Sequence, residues 1–335
     1  MSYPRPMLSA RIDPHVHLYP PRRLKGLIAW SRTFMPDHPV PLDATADDLL
    51  GELRRTGVRR WINLVFPLQP GEAAGLHRFN AELAERCPEM SPFGGVLPSD
   101  EDPLAVAKEA IETFGMVGLK FHPMVQRFSP ADPALAGVFD YLEGKGKAVF
   151  IHTGYDHWFG WHLPEEDIER LVAGHPGLAF VLAHLWFPRI DFAFDLAERY
   201  PNVWLDATNV FGDLAMEWWV GADLGGQGGA GSSADPGGQA VAGTDVHSSG
   251  DSGVGSAADL GVHSGIYPPA AKLREAMTEG LSRLSHRVMF GTDHPVGMGG
   301  LERIYADFDA FGLDNATREQ LLAGTATEFL DRYGR

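Results

Sequence analysis

Residues 13–17 read Asp-Pro-His-Val-His and close a short β-rich run that begins at Arg11. Residues two apart on a strand point to the same side, so His15 and His17 present two imidazoles to one point. Neutral imidazole nitrogen suits zinc, iron, nickel and manganese. Taken alone the pair is ambiguous: one histidine buried and hydrogen-bonded, with the other capping a loop, fits as well. Three further runs end the same way. Phe150-Ile151-His152-Thr153-Gly154, Leu182-Ala183-His184 and Gly291-Thr292-Asp293-His294-Pro295 each finish an apolar stretch on a potential ligand or acid–base group.

Working outward, eight such runs divide the chain, at 11–17, 59–67, 90–98, 116–123, 148–154, 178–184, 203–208 and 288–295. Amphipathic stretches lie between them. The pattern predicts helices over 47–56, 103–114, 134–144, 165–173, 192–200, 269–284, 301–311 and 318–333. Thr45, Asp102-Pro103 and Asp132-Pro133 supply N-terminal signals for the first three. Strand and helix in alternation predict an α/β fold, a single (β/α)₈ barrel over residues 1–335. In such a barrel the strand ends converge on one face, where active sites form.

Residues 221–265 break the rhythm with glycine, serine and alanine. A segment so poor in large apolar side chains buries too little area to offset its ordering entropy. It is expected to be a flexible insertion after the seventh strand, with His247 and His263 solvated.

The composition narrows the partners. The 335 residues carry 44 acidic against 28 basic side chains, a formal net charge of -16. Such a surface repels phosphate backbones and anionic membranes, so neither nucleic acid nor membrane is an expected partner. A small-molecule substrate is expected, and a homodimer stays open. The one cysteine, Cys87, forms no internal disulfide. With no apolar run of membrane-spanning length, a cytoplasmic protein is the expectation.

The segments DPHVH at 13–17, GLKFHP at 118–123, FIHTG at 150–154, HPGLAFVLAHL at 175–185, VWLDAT at 203–208 and FGTDHP at 290–295 occur in one order along the chain. In that order the sequence resembles the amidohydrolase superfamily, in the branch containing aminocarboxymuconate semialdehyde decarboxylase and pyrone dicarboxylate lactonase. The resemblance spans nearly everything except the glycine-rich segment. It implies that His15, His17, His152 and Asp293 are metal ligands. It makes His184 the histidine beside the metal, an acid–base group in some members and a ligand in others. Zinc is the expected metal, with manganese and iron as alternatives.

Asp293 and His184 are therefore the expected catalytic pair. A bound divalent cation lowers the pKa of its water towards ~7 and polarises substrate oxygen. Lys120 has three readings, a carbamate bridging two metals as in other branches of that superfamily, a contact to a substrate anion, or a buried pair with an acid. His122, Arg127, His157, Trp158 and Arg189 are candidates for a substrate pocket, since Arg grips carboxylates bidentately. Asp206 ends its strand where it can orient a histidine or a loop. The leading expectation is a hydrolase of a small ester, lactone or amide. The alternative is a non-oxidative decarboxylase of an aromatic or muconate-like acid. A third reading, from another class, is an inactive barrel used as a binding protein.

Overall fold

The computed structural model describes residues 10–156, 161–213, 215 and 270–334. Eight strands form one parallel sheet in sequence order: Arg11–Val16, Val58–Leu64, Met90–Gly94, Gly118–Phe121, Ala148–His152, Ala179–Ala183, Val203–Asp206 and Val288–Met289. Seven of the eight predicted runs contain one of them, and the second strand begins one residue ahead of its run. The eighth is only two residues long, yet the sheet nearly closes. A parallel bridge joins Val16 to His294, His17 N–H donates to His294 O at 2.7 Å, and Asp293 N–H donates to His15 O at 2.9 Å.

Side chains complete the closure where the backbone ladder is thin. The Asp13 carboxylate accepts from His15 N–H at 3.1 Å, and from Thr292 N–H at 3.1 Å and Thr292 Oγ1 at 2.5 Å. Burial pushes the Asp13 carboxyl up to about 7, against which these bonds work. One carboxylate thus ties the first strand to the segment that carries Asp293.

The barrel interior is filled at the starts of the strands. Ile12, Ile62, Phe93, Phe150, Val181, Trp204 and Met289 share one buried cluster with Ala326, Phe329 and Tyr333 of the last helix, Thr325–Tyr333. Phe329 meets Phe150 and Trp204 edge-on at 6.2 and 5.4 Å. The floor is therefore apolar, and on the fifth strand the polar inward position comes two residues later, at His152 after Phe150. A larger apolar cluster lies between the sheet and the outer helices.

The predicted helices form, and their caps act as expected. Thr45 and Asp48 make a reciprocal capping box at Ala46–Arg55, and Asp102 accepts from Ala105 N–H ahead of Pro103–Lys108. The stretches 103–114 and 318–333 are not uniform α-helix, since each contains a π-helical turn, Glu109–Thr113 and Gln320–Gly324. Three helices have no counterpart in the pattern read from the sequence: Pro21–Ser31, Ala73–Arg86 and Pro123–Gln126. The inner face of Ala73–Arg86 includes His77 and Asn80 beside Leu76 and Leu83, which breaks the apolar stripe. A hairpin of Tyr155–Asp156 with Trp161–His162 follows the fifth strand. The glycine-rich segment 221–265 lies outside the described residues. No helix among those described is long and apolar enough to cross a membrane.

Candidate metal centre

The protonation of each imidazole follows from what its ring nitrogens touch. His17 Nδ1 lies 2.6 Å from Leu64 O, a carbonyl that only accepts, so Nδ1 carries the proton. His15 Nδ1 lies 2.5 Å from Asp206 Oδ2, again an acceptor. In both neutral rings the lone pair is then on Nε2. These two Nε2 atoms face each other at 3.1 Å. Asp293 Oδ1 completes the group, 3.1 Å from His17 Nε2 and 3.6 Å from His15 Nε2. The three ligand atoms all lie within 4.8 Å of one another. Three acceptors meeting without a proton between them repel unless a cation joins them, and a divalent metal fits that demand.

The electrostatics agree. Burial, reinforced by Lys120, holds the His15 imidazole well below its ordinary range, so it stays neutral and keeps its lone pair. Lys120 is fully buried, with Nζ 3.5 Å from His15 Nε2, and burial brings its ammonium down to about 8.

His184 and His152 stand beside this triad. His184 Nδ1 donates to Thr208 O at 2.9 Å, leaving its lone pair on Nε2, 3.0 Å from His152 Nδ1. His152 Nδ1 must then be the donor, and its lone pair falls on Nε2. That atom is buried with no hydrogen-bond partner. A buried acceptor left without a donor fits a fourth metal ligand. His152 is nonetheless outside the close set formed by His15, His17 and Asp293. Burial lowers His152 well below, and His184 to about 4 from, the ordinary histidine value.

Asp206 holds His15 from behind. Its Oδ1 accepts from Thr208 N–H at 3.0 Å and Thr208 Oγ1 at 2.5 Å, so Oδ2 is fixed towards the imidazole. Such carboxylate–histidine pairs set the tautomer and raise ligand basicity. His122 forms the wall, stacked on His152 with ring centroids 3.8 Å apart. Its Nδ1 accepts from Val125 N–H at 3.4 Å, so its outer nitrogen carries the proton and is not a ligand.

Two further pocket candidates follow the sixth and fourth strands. Arg189 is held in ion pairs with Glu165 at 2.9 Å and Asp191 at 3.1 Å. Arg127 is exposed and ends Pro123–Gln126 in a left-handed conformation, φ 57°. His157 and Trp158 lie outside the described residues. The stretch after the first strand is the helix Pro21–Ser31, and its Arg23 pairs with Glu72 at 3.1 Å. His294 points away from the triad, its Nε2 3.6 Å from Glu52 Oε2. One site residue was missed. Asn209 Nδ2 donates to Asp293 Oδ2 at 2.7 Å, and its only sequence signal is an asparagine three positions past a strand end.

Fold and site together define a parallel barrel with a metal-binding triad at the C-terminal ends of its strands. The chain belongs to the amidohydrolase family, whose model, described as Amidohydrolase, matches residues 12–332. Among solved structures it is similar to an uncharacterized TIM-barrel protein from Bordetella bronchiseptica, with 17% identity, TM-score 0.65, and coverage of 97% of this chain and 100% of that one. It is similar to an amidohydrolase from Burkholderia multivorans with bound zinc, with 17% identity, TM-score 0.57, and coverage of 96% and 98%. It is also similar to 5-carboxyvanillate decarboxylase from Novosphingobium aromaticivorans complexed with manganese and a nitrobenzoic acid, with 13% identity, TM-score 0.58, and coverage of 97% and 96%. Decarboxylases of 5-carboxyvanillate and 2,6-dihydroxybenzoate recur among the matches. Identities this low speak for the shared fold. No curated protein matches the sequence.

Proposed function

We propose that this chain is a metal-dependent, non-oxidative decarboxylase of a hydroxylated aromatic carboxylic acid. The observation that carries the metal dependence is the meeting of unprotonated His15 Nε2, His17 Nε2 and Asp293 Oδ1 in one buried group. The recurrence of aromatic decarboxylases among structures of the same fold supports the reaction class over hydrolysis.

His15, His17 and Asp293 would hold the ion, zinc or manganese, with the orphaned Nε2 of His152 as a fourth ligand. When bound, a divalent ion polarises substrate oxygen and offsets developing negative charge. His184 carries the proton. Its imidazole is neutral at pH 7, and Nε2, which accepts from His152 Nδ1 before substrate binds, exchanges that partner for the substrate hydroxyl, takes its proton and returns it to the ring carbon that bears the carboxylate. The bond to the carboxylate then breaks, its electron pair refills the ring, and carbon dioxide leaves. Water restores the hydroxyl proton. Lys120 offers a cation to the substrate carboxylate, and His122 walls the pocket. In the hydrolytic alternative Asp293 would take a proton from water at the same centre.

The test is turnover by metal-loaded protein in D₂O. The panel is 2,6-dihydroxybenzoate, 5-carboxyvanillate and related ortho-hydroxylated acids, beside lactones and esters. The expected result is carbon dioxide release with one deuterium at the vacated ring carbon. Hydrolysis of lactones or esters with no decarboxylation would overturn the reading.

A further inference from the structure

Asn209 and Asp293 approach each other from the segments that follow the seventh and eighth strands. Both are non-glycine residues with left-handed backbones, φ 58° and φ 59°. Such conformations are sparsely populated and persist where surrounding structure holds them, often at functional sites. Here each backbone turns a side chain towards the other.

The Asn209 amide is oriented without ambiguity. Its Oδ1 accepts from Met298 N–H at 3.2 Å, a contact that only the oxygen can make. The amide nitrogen is therefore the end that faces Asp293, and Nδ2 donates to Oδ2 at 2.7 Å. The other oxygen, Oδ1, is the one that faces His15 and His17. The two oxygens of one carboxylate thus have separate partners.

We infer that Asn209 is a positioning residue that holds Asp293 as a one-oxygen metal ligand by engaging Oδ2. A carboxylate with a free second oxygen swings between one- and two-oxygen coordination. With Oδ2 held by the amide, the coordination number is fixed from outside. This inference rests on the metal-centre reading above.

Cobalt(II) is the probe, because its d–d absorption reports coordination number. The full-length chain is titrated with cobalt as parent, as Asn209→Gly and as Asn209→Asp. Glycine keeps the left-handed backbone and removes the amide. Aspartate keeps an acceptor for Met298 N–H and replaces the donor towards Asp293 with oxygen. Both variants should shift the cobalt spectrum, and Asn209→Gly should bind about 10–100-fold more weakly, while the metal-free protein melts where the parent does. Parent-like spectra and affinities in both variants would overturn the inference. So would an affinity loss matched by a comparable fall in the melting temperature of both metal-free variants, which would assign Asn209 a packing role. A parent that binds no cobalt would overturn the metal-centre reading and this inference with it. A parent that binds cobalt, with variants that bind it identically, would overturn the inference alone.

Discussion

His15 Nδ1 and Asp206 Oδ2 lie 2.5 Å apart, both buried and 191 positions apart in sequence. The contact joins the first strand to the seventh and fixes the proton on Nδ1, so that Nε2 reaches the triad with its lone pair free. Asp206→Asn removes the charge and the strong acceptor. It should weaken zinc or manganese binding about 10–100-fold, the usual effect of losing such a partner. Competition with a chelator of known affinity measures this, and a parent-like Kd would show that His15 holds its tautomer unaided.

Gly291 makes room for that pair. A Cβ at this position would stand 2.4 Å from Thr208 Oγ1, 2.7 Å from His15 Cβ and 3.3 Å from Asp206 Oδ1. Gly291→Ala should therefore cost about 1–3 kcal/mol by overpacking and weaken metal binding at the same time. Equilibrium urea denaturation of the metal-free protein gives the first number and metal titration the second. Unchanged values would mean that the two strand ends can part without disturbing the site.

His184 and His152 are neighbours with different expected roles. His184→Ala leaves the triad and His152 Nε2 intact, so it should keep most of its metal. It should lose about 10²–10⁴-fold in turnover, the contribution of a positioned acid–base group. His152→Ala should lose metal and activity together. Metal analysis beside turnover separates the two. Equal metal loss in both variants would make His184 a ligand.

His77 sets a pH dependence remote from the metal. It is buried with Nε2 3.0 Å from Gly95 O, and burial lowers it from 6.5 to about 4. Between about pH 4 and 6.5 the unfolded chain takes up a proton that the folded chain refuses. Stability is thus fully retained above that window and lost as pH falls through it, by up to about 3 kcal/mol. His77→Gln lacks this proton and should show a shallower fall between pH 7 and pH 4 in urea denaturation. Parallel curves for parent and variant would assign the uptake to other groups.

The strands were legible because each is an apolar run of strand length ending on a polar residue, a pattern set by the barrel itself. Phe150 faces the apolar floor and His152, two positions on, faces the mouth. The helix Pro21–Ser31 was not legible, because a proline at its start and three basic residues among its first five read as a loop. The inner face of Ala73–Arg86 was masked by His77 and Asn80. Those residues are buried there because Gly95, Asn63 and Phe93 supply their hydrogen bonds, partners that local sequence does not reveal.

The sequence by itself determined the barrel class and the chemical types at the strand ends, because alternation along a strand is a local property that the order of residues records. Only the tertiary structure decided how those groups are used. Asp206 reaches His15 across 191 positions and Asn209 reaches Asp293 across 84. Which ring nitrogen holds a lone pair, and which carboxylate oxygen is spent on an amide, depends on the partner that closure of the sheet brings within about 3 Å. That partner lies on another strand, where no local pattern records it.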